Sequence, residues 1–188
     1  ADITPAARGT LTHKVLELIP FDEMLDETKV REFVESLPEK GFMSVREAEA
    51  VDCRKVAAFF KSDTGRRLRD AQWIRREWPF TLRKSRDEIA AMAANDDIKE
   101  EMRSSLAENV LIQGIIDCCF RDDRGIVVVD YKTDWVDRKN KDSEIARLRE
   151  EYRRQLELYS EVIERSLGER PESVVLFLLD SGETVNIF

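Results

Sequence analysis

A single histidine, His13, and three cysteines, two of them adjacent (Cys118 and Cys119), are too few for a disulfide framework or a sulfur-rich metal cage. Zinc and four-cysteine iron–sulfur sites are thereby disfavoured, and free thiols fit a reducing, cytoplasmic setting. No G-x-x-x-x-G-K-[ST] stretch occurs, so the chain carries no P-loop ATPase. No signal peptide and no apolar run of membrane length is present, so no membrane partner is expected. The chain starts "ADITPAARGT", without an initiator Met, as expected of a processed or excised chain. Positive charge is also in deficit: 31 bases against 39 acids leave a net charge of −8. That sum argues against a nucleic-acid partner unless the bases are concentrated locally.

What is there is enough for a core. At 188 residues and 42% hydrophobic content, one compact domain over 1–188 is expected, and 37% charged residues require mostly ionic surfaces. Residues 10–19 read as a helix capped by Thr10, with Leu11, Val15, Leu18 and Ile19 on one face. Two further amphipathic helices are predicted over 22–38 and 44–61, divided at Pro38 to Gly41, then a short one near 63–71. "REWPFTLR" (76–83) is β-rich, and Pro79 suits an edge strand. Residues 84–107 are charged, helical or loop-like; strands are predicted at 109–120 and 125–132, followed by a polar loop over 133–142. Helical spacing of Ile145, Leu148, Tyr152, Leu156, Tyr159, Ile163 and Leu167 predicts a helix over 144–167, stopped by Gly168 and Pro171. "SVVLFLLD" (173–180) reads as a buried strand and "SGETVNIF" as a turn into a last one. The order implies an α/β fold, a mixed central sheet flanked by helices.

The paired strands carry the chemistry. Alternation puts Leu111, Gln113, Ile115, Asp117 and Cys119 on one face of the first, and Ile126, Val128, Asp130 and Lys132 on one face of the second. If residues 122–125 form a four-residue loop, opposed positions sum to 247, and Asp117 meets Asp130 with Lys132 beside the pair. A three-residue loop would leave the aspartates diagonal. Opposed carboxylates repel unless a cation offsets them, and hard oxygen ligands suit Mg²⁺ or Mn²⁺. A neighbouring lysine orients water or stabilises charge on a phosphoryl oxygen, which is equipment for phosphodiester hydrolysis. An isolated D-x-K on a solvated edge is the competing reading.

"GIIDCCF" followed by "GIVVVDYKTD" resembles motifs II and III of the PD-(D/E)XK nucleases in their RecB-like branch. "GTLTHKVLELI" (9–19), "REWPF" (76–80), "QLELYSEVI" (155–163) and "VVLFLLDSGE" match in the same order. Over nearly its whole length the chain is similar to the C-terminal nuclease domains of AddA-type subunits of bacterial AddAB helicase–nucleases. The resemblance implies a restriction-endonuclease-like fold with a four-stranded mixed core sheet and a Mg²⁺ site, Mn²⁺ substituting. His13, Asp117, Asp130 and the carbonyl of Tyr131 would be ligands, with Lys132 positioning water and Gln155 and Tyr159 forming the family's Q-xxx-Y signature. Glu77 matches a glutamate on the preceding strand, or else pairs with Arg75 or Arg76. It further implies a nuclease domain excised from a longer chain whose helicase part feeds it. Its substrate would be unwound single-stranded DNA ends, cut on the 3′-terminated strand during double-strand-break processing, beside an AddB-type subunit.

The competing readings are specific. His13 lies off the main apolar stripe of its helix, so it is a ligand or a surface histidine. Packing alone accounts for Tyr159, whereas an amide at Gln155 needs partners. Residues 61–86 hold nine bases against three acids, with Trp73 and Trp78 among them. Such a strip either tracks a single strand or is a solvated face. The alternative function is an inactive DNA clamp or subunit interface of the same fold. A site-specific endonuclease would need a base-reading insertion, and none is evident.

Overall fold

The β-branched residues of "GIVVVDY" and "SVVLFL" build the centre of the protein, because strands buried on both faces become continuous apolar runs. The computed structural model describes residues 3–21, 25–93, 109–137 and 139–187. In chain order the elements are α1 (Pro5–Leu18), α2 (Glu27–Ser36), α3 (Val45–Glu49), α4 (Cys53–Lys61), α5 (Asp63–Arg69), β1 (Trp73–Ser85) and α6 (Arg86–Ala93). These are followed by β2 (Asn109–Arg121), β3 (Ile126–Lys132), α7 (Lys141–Leu167), β4 (Ser173–Leu178) and β5 (Glu183–Asn186). The sheet order is β1-β2-β3-β4-β5, so the resemblance's four-stranded core is a five-stranded sheet here, with Pro79 on an edge strand. β2–β3 and β4–β5 are antiparallel, while β3–β4 is parallel and is joined through α7. Two compact units are present: Ala1–Trp78 with Ile116–Phe188, and Pro79–Ile115. All the candidate site residues belong to the first.

In that unit the sheet is covered on both faces. Cys118, Phe120, Val127, Val129, Tyr131, Val175 and Phe177 pack in one cluster with Val15, Leu16 and Ile19 of the α1 region and with Val30, Val56 and Phe59. Each such fully buried aliphatic or aromatic side chain is worth about 1.5–3 kcal/mol. The residues alternating with these face α7, which buries Leu148, Leu156, Tyr159, Val162 and Ile163. No described helix is long and apolar enough to cross a membrane.

Helix boundaries depart from the sequence expectations for local reasons. α1 begins at Pro5, not after Thr10, because Thr4 Oγ1 accepts from Ala7 N–H at 3.2 Å and Pro is preorganised for the first turn. Thr10 lies inside the helix, its hydroxyl turned back to the Ala6 carbonyl. The helix expected over 44–61 is two, since Asp52 takes the Arg54 N–H at 3.1 Å and starts α4 afresh. α3 opens with a capping box between Ser44 and Glu47. α7 extends back to Lys141 and ends at Gly168, which is left-handed at φ 74°. Of the stretch 84–107, residues 86–93 are helical; residues 94–107 lie outside the described ones, as do 22–24 of the second expected helix.

The turn between β2 and β3 sets their register. Arg121 pairs with Ile126 and Cys118 with Val129, so opposed positions sum to 247 and the loop has the four residues expected. Asp122 holds it: Oδ1 accepts from Arg124 and Gly125 N–H groups at 3.0 and 3.2 Å, and Gly125 adopts φ 141°. Arg67 of α5 forks onto the same carboxylate at 2.6 and 3.1 Å and reaches Glu172 at 2.9 Å. Asp122 is only 5% exposed, so its charge depends on this partner. Asp122→Ala is expected to cost about 3–5 kcal/mol in urea unfolding, as for a broken buried pair. Arg67 and the two turn amides hold the Asp122 carboxyl below its usual range. Its stabilisation is therefore complete above the unfolded value of about 3.9 and lost as pH falls through the lower folded value. Acid melts of Asp122→Asn should lack that component.

Candidate active site

Arg76 on β1 orders the helix that carries the histidine. Its Nη1 donates to the carbonyls of Leu16, Glu17 and Ile19 at 3.4, 2.6 and 2.6 Å, and its guanidinium lies 4.1 Å over the Phe21 ring. A cation there satisfies carbonyls that the end of α1 leaves open and complements the helix dipole. The next residue, Glu77, has φ 46° and is the one non-glycine with positive φ among the described residues. Side chains held in that region are strained, and such strain concentrates at functional sites.

The result is a convergence of ligand atoms. One donor atom each from His13, Glu77 and Asp117 lies within 4.8 Å of the others, and His13 Nδ1 is 3.7 Å from Asp117 Oδ2. The His13 ring stands edge-on to Tyr131 at 6.0 Å. Asp117 Oδ2 accepts the Tyr131 backbone N–H at 2.8 Å, one residue beyond the last paired residue of β2 and two beyond that of β3. The aspartate thus replaces a ladder acceptor where the strands part.

Asp130, 1% exposed, sits on the face of β3 turned to α7. Its Oδ2 is 2.7 Å from Lys132 Nζ, an ion pair too poorly aligned to count as a hydrogen bond, so that oxygen is otherwise without a donor. Gln155 joins the groups: Oε1 accepts from Lys132 at 3.3 Å, while Nε2 donates to Tyr159 Oη at 2.6 Å and, at a long 3.5 Å, to Asp130 Oδ1. Lys132 Nζ also lies 4.4 Å over the ring of Tyr152, whose hydroxyl donates to Asp134 at 3.1 Å.

Electrostatics follow burial. Desolvation first, and then the charge of Asp130, push the Asp117 carboxyl up to about 7. Burial likewise raises Asp130, and burial followed by Asp117 raises Glu77. Desolvation lowers His13, which favours the neutral imidazole, the form that donates a lone pair. Three crowded carboxyls, one imidazole and an orphaned buried oxygen fit a hard divalent cation better than they fit one another.

All the candidate site residues lie in this unit, but not in one shell. His13 and Asp117 come together with Glu77, which the sequence left open; Asp130 lies beside them, paired to Lys132. Tyr131 contributes its backbone N–H to Asp117. Tyr152 and Asp134 escaped the sequence reading, because spacing cannot tell a ring beneath an ammonium from a packed one. Part of the basic strip is taken up by the fold. Arg67 and Arg76 bind as described, Arg66 and Arg69 pair with Asp63 and Asp70, Lys84 is buried, and Arg75 covers the half-buried Trp78.

A sheet flanked by helices, with acids and a lysine at the parting of two central strands, defines a class, and sequence comparison agrees. The chain belongs to the PD-(D/E)XK nuclease superfamily, whose family model matches residues 1–186. Among curated proteins it is similar to the A-type subunit of the ATP-dependent helicase/nuclease of Desulforudis audaxviator, 37% identical over 96% of this chain. The counterparts from Alkaliphilus oremlandii and Bacillus cereus are 33% and 30% identical, each over 98% of it. The chain spans 14% of the length of these relatives.

Two outcomes follow for the protein in EDTA. Because the folded Asp117 keeps a proton that the unfolded chain releases, stability should fall as pH rises from about 4 towards about 7. Asp117→Asn should flatten that slope in thermal melts. Gln155→Ala, which unties Lys132 from Tyr159, should lower divalent-cation affinity or activity about 10–100-fold, measured by titration and by turnover.

Proposed function

We propose that this chain is the metal-dependent DNA exonuclease domain of a helicase–nuclease, hydrolysing phosphodiester bonds of unwound single strands at double-strand breaks. The observation that carries the reading is the meeting of His13, Glu77 and Asp117 beside the buried Asp130–Lys132 pair, in a chain of a nuclease superfamily. His13, Glu77, Asp117 and Asp130, with the Tyr131 carbonyl, would hold the cation, Mg²⁺ with Mn²⁺ as substitute. When bound, it supplies Lewis-acid stabilisation of charge on the scissile phosphate and a more acidic water.

The chain's own residues do the rest. Lys132 Nζ, held by Gln155 and Tyr152, orients the attacking water in line with the leaving 3′-oxygen. Asp130 pairs with that ammonium at 2.7 Å. Attack by the water oxygen forms the new P–O bond as the P–O3′ bond breaks. The water gives up a proton to solvent and O3′ takes one from solvent, leaving a 5′-phosphate and a 3′-hydroxyl. Tyr159 and Gln155 hold the lysine and aspartate through the reaction. By similarity to the helicase/nuclease relatives, the single domain 1–188 would work within a longer helicase chain, beside an AddB-type subunit, on single-stranded DNA ends in the cytoplasm.

End-labelled single-stranded DNA should be cut with Mg²⁺ and not in EDTA. Lys132→Ala and Asp130→Ala should each lower the rate about 10²–10³-fold, the range for loss of one positioned group that stabilises developing charge. Metal-independent binding without cutting would replace this reading with the inactive clamp.

A further inference from the structure

Tryptophan is ordinarily well covered in folded proteins. Trp135 is 69% exposed, more than any other large apolar side chain exposed among the described residues. Its segment is nevertheless tied down on both sides. The Lys132 carbonyl accepts from Leu179 N–H at 2.8 Å, and Asp134 accepts from Tyr152 Oη at 3.1 Å. Val136 is 3% exposed, and its N–H points to Asp180 Oδ2 at 3.5 Å, the carboxylate that also binds Lys55 at 2.7 Å. The indole is therefore presented outward from an ordered stretch three residues past Lys132, and Tyr152 ties that stretch to the lysine's ammonium.

We propose that Trp135 is a stacking platform for a nucleobase of the single strand held at the candidate active site, an inference that rests on the nuclease reading above. An indole face stacks on any base, which suits an enzyme that degrades strands irrespective of sequence. Ordering before binding reduces the entropy lost on stacking. A protein-docking role would call for a contiguous apolar patch, but the other exposed large apolar residues, Phe42, Val45, Leu111, Ile115 and Leu167, belong to other parts of the chain, and Val136 beside it is buried. Trp73 and Trp78, the aromatics of the basic strip, are both half-buried, and Trp78 is covered by Arg75.

The test is steady-state cleavage in Mg²⁺ of a mixed-sequence single strand and of an equally long strand carrying abasic sites, by wild type, Trp135→Ala and Trp135→Phe. Trp135→Ala should raise KM on the normal strand roughly 5- to 150-fold, the equivalent of ~1–3 kcal/mol for one stacked base, with kcat little changed. Trp135→Phe should restore most of it, and on the abasic strand wild type and Trp135→Ala should have similar KM. Equal KM for wild type and Trp135→Ala on the normal strand overturns the platform while leaving the nuclease reading intact. So does an equal rise on both strands, which would make the effect structural. Failure of wild type to cut either strand removes the nuclease reading and the platform with it.

Discussion

Carboxylates buried against one another are the constraint around which this protein is organised. Asp117 and Asp130 lie where β2 and β3 part, the first half-buried and the second buried, and this withdrawal from water raises the cost of a negative charge. Replacing either with an apolar residue would suit the surrounding Ile and Val better. Instead each charge is met individually: a backbone amide for Asp117, an ammonium for Asp130, an imidazole at the edge. The compensation is incomplete, and the remainder is an opening for a cation.

The rest of the fold supports that arrangement from a distance. At the far end of the hairpin, Arg67, Asp122 and Glu172 fix the turn and hence the register that brings Asp117 towards Asp130. A one-residue slip would turn Asp130 to the opposite face. Arg76 closes α1 and so fixes the helix carrying His13, while its neighbour Glu77 sits in a backbone conformation that no ordinary strand residue adopts. α7 serves as both crossover and wall, its polar pair Gln155 and Tyr159 lying among buried Leu156 and Ile163. Loss of Gln155 would leave Lys132 with only Asp130 and the Tyr152 ring.

Much of this was legible in the chain. Alternation in "GIIDCCF" and "GIVVVDYK" located Asp117, Asp130 and Lys132, since a charged residue in a two-sided apolar strand is conspicuous. A four-residue loop gives the observed register by counting, although the chain alone left a three-residue loop open. Gln155 stood out because an amide on an apolar helix face requires partners. What periodicity could not supply was three-dimensional capping: Thr4 rather than Thr10 starts α1, and Asp52 breaks an otherwise continuous pattern. Nor could local charge reveal that Arg67 and Arg76 are spent inside the fold, because their partners lie 55 to 105 and 57 to 60 residues away. The positive φ at Glu77 and the exposure of Trp135 are likewise features that sequence does not show.

The central claim is that these acids exist to hold a divalent cation. Crystals soaked in Mn²⁺ and measured at its absorption edge test it most directly. An anomalous peak is expected within the triad of His13, Glu77 and Asp117, with Asp130 turned towards it and Lys132 still held by Gln155 and Tyr152. A strong peak elsewhere, or an ordered site with no peak at millimolar Mn²⁺, would contradict it.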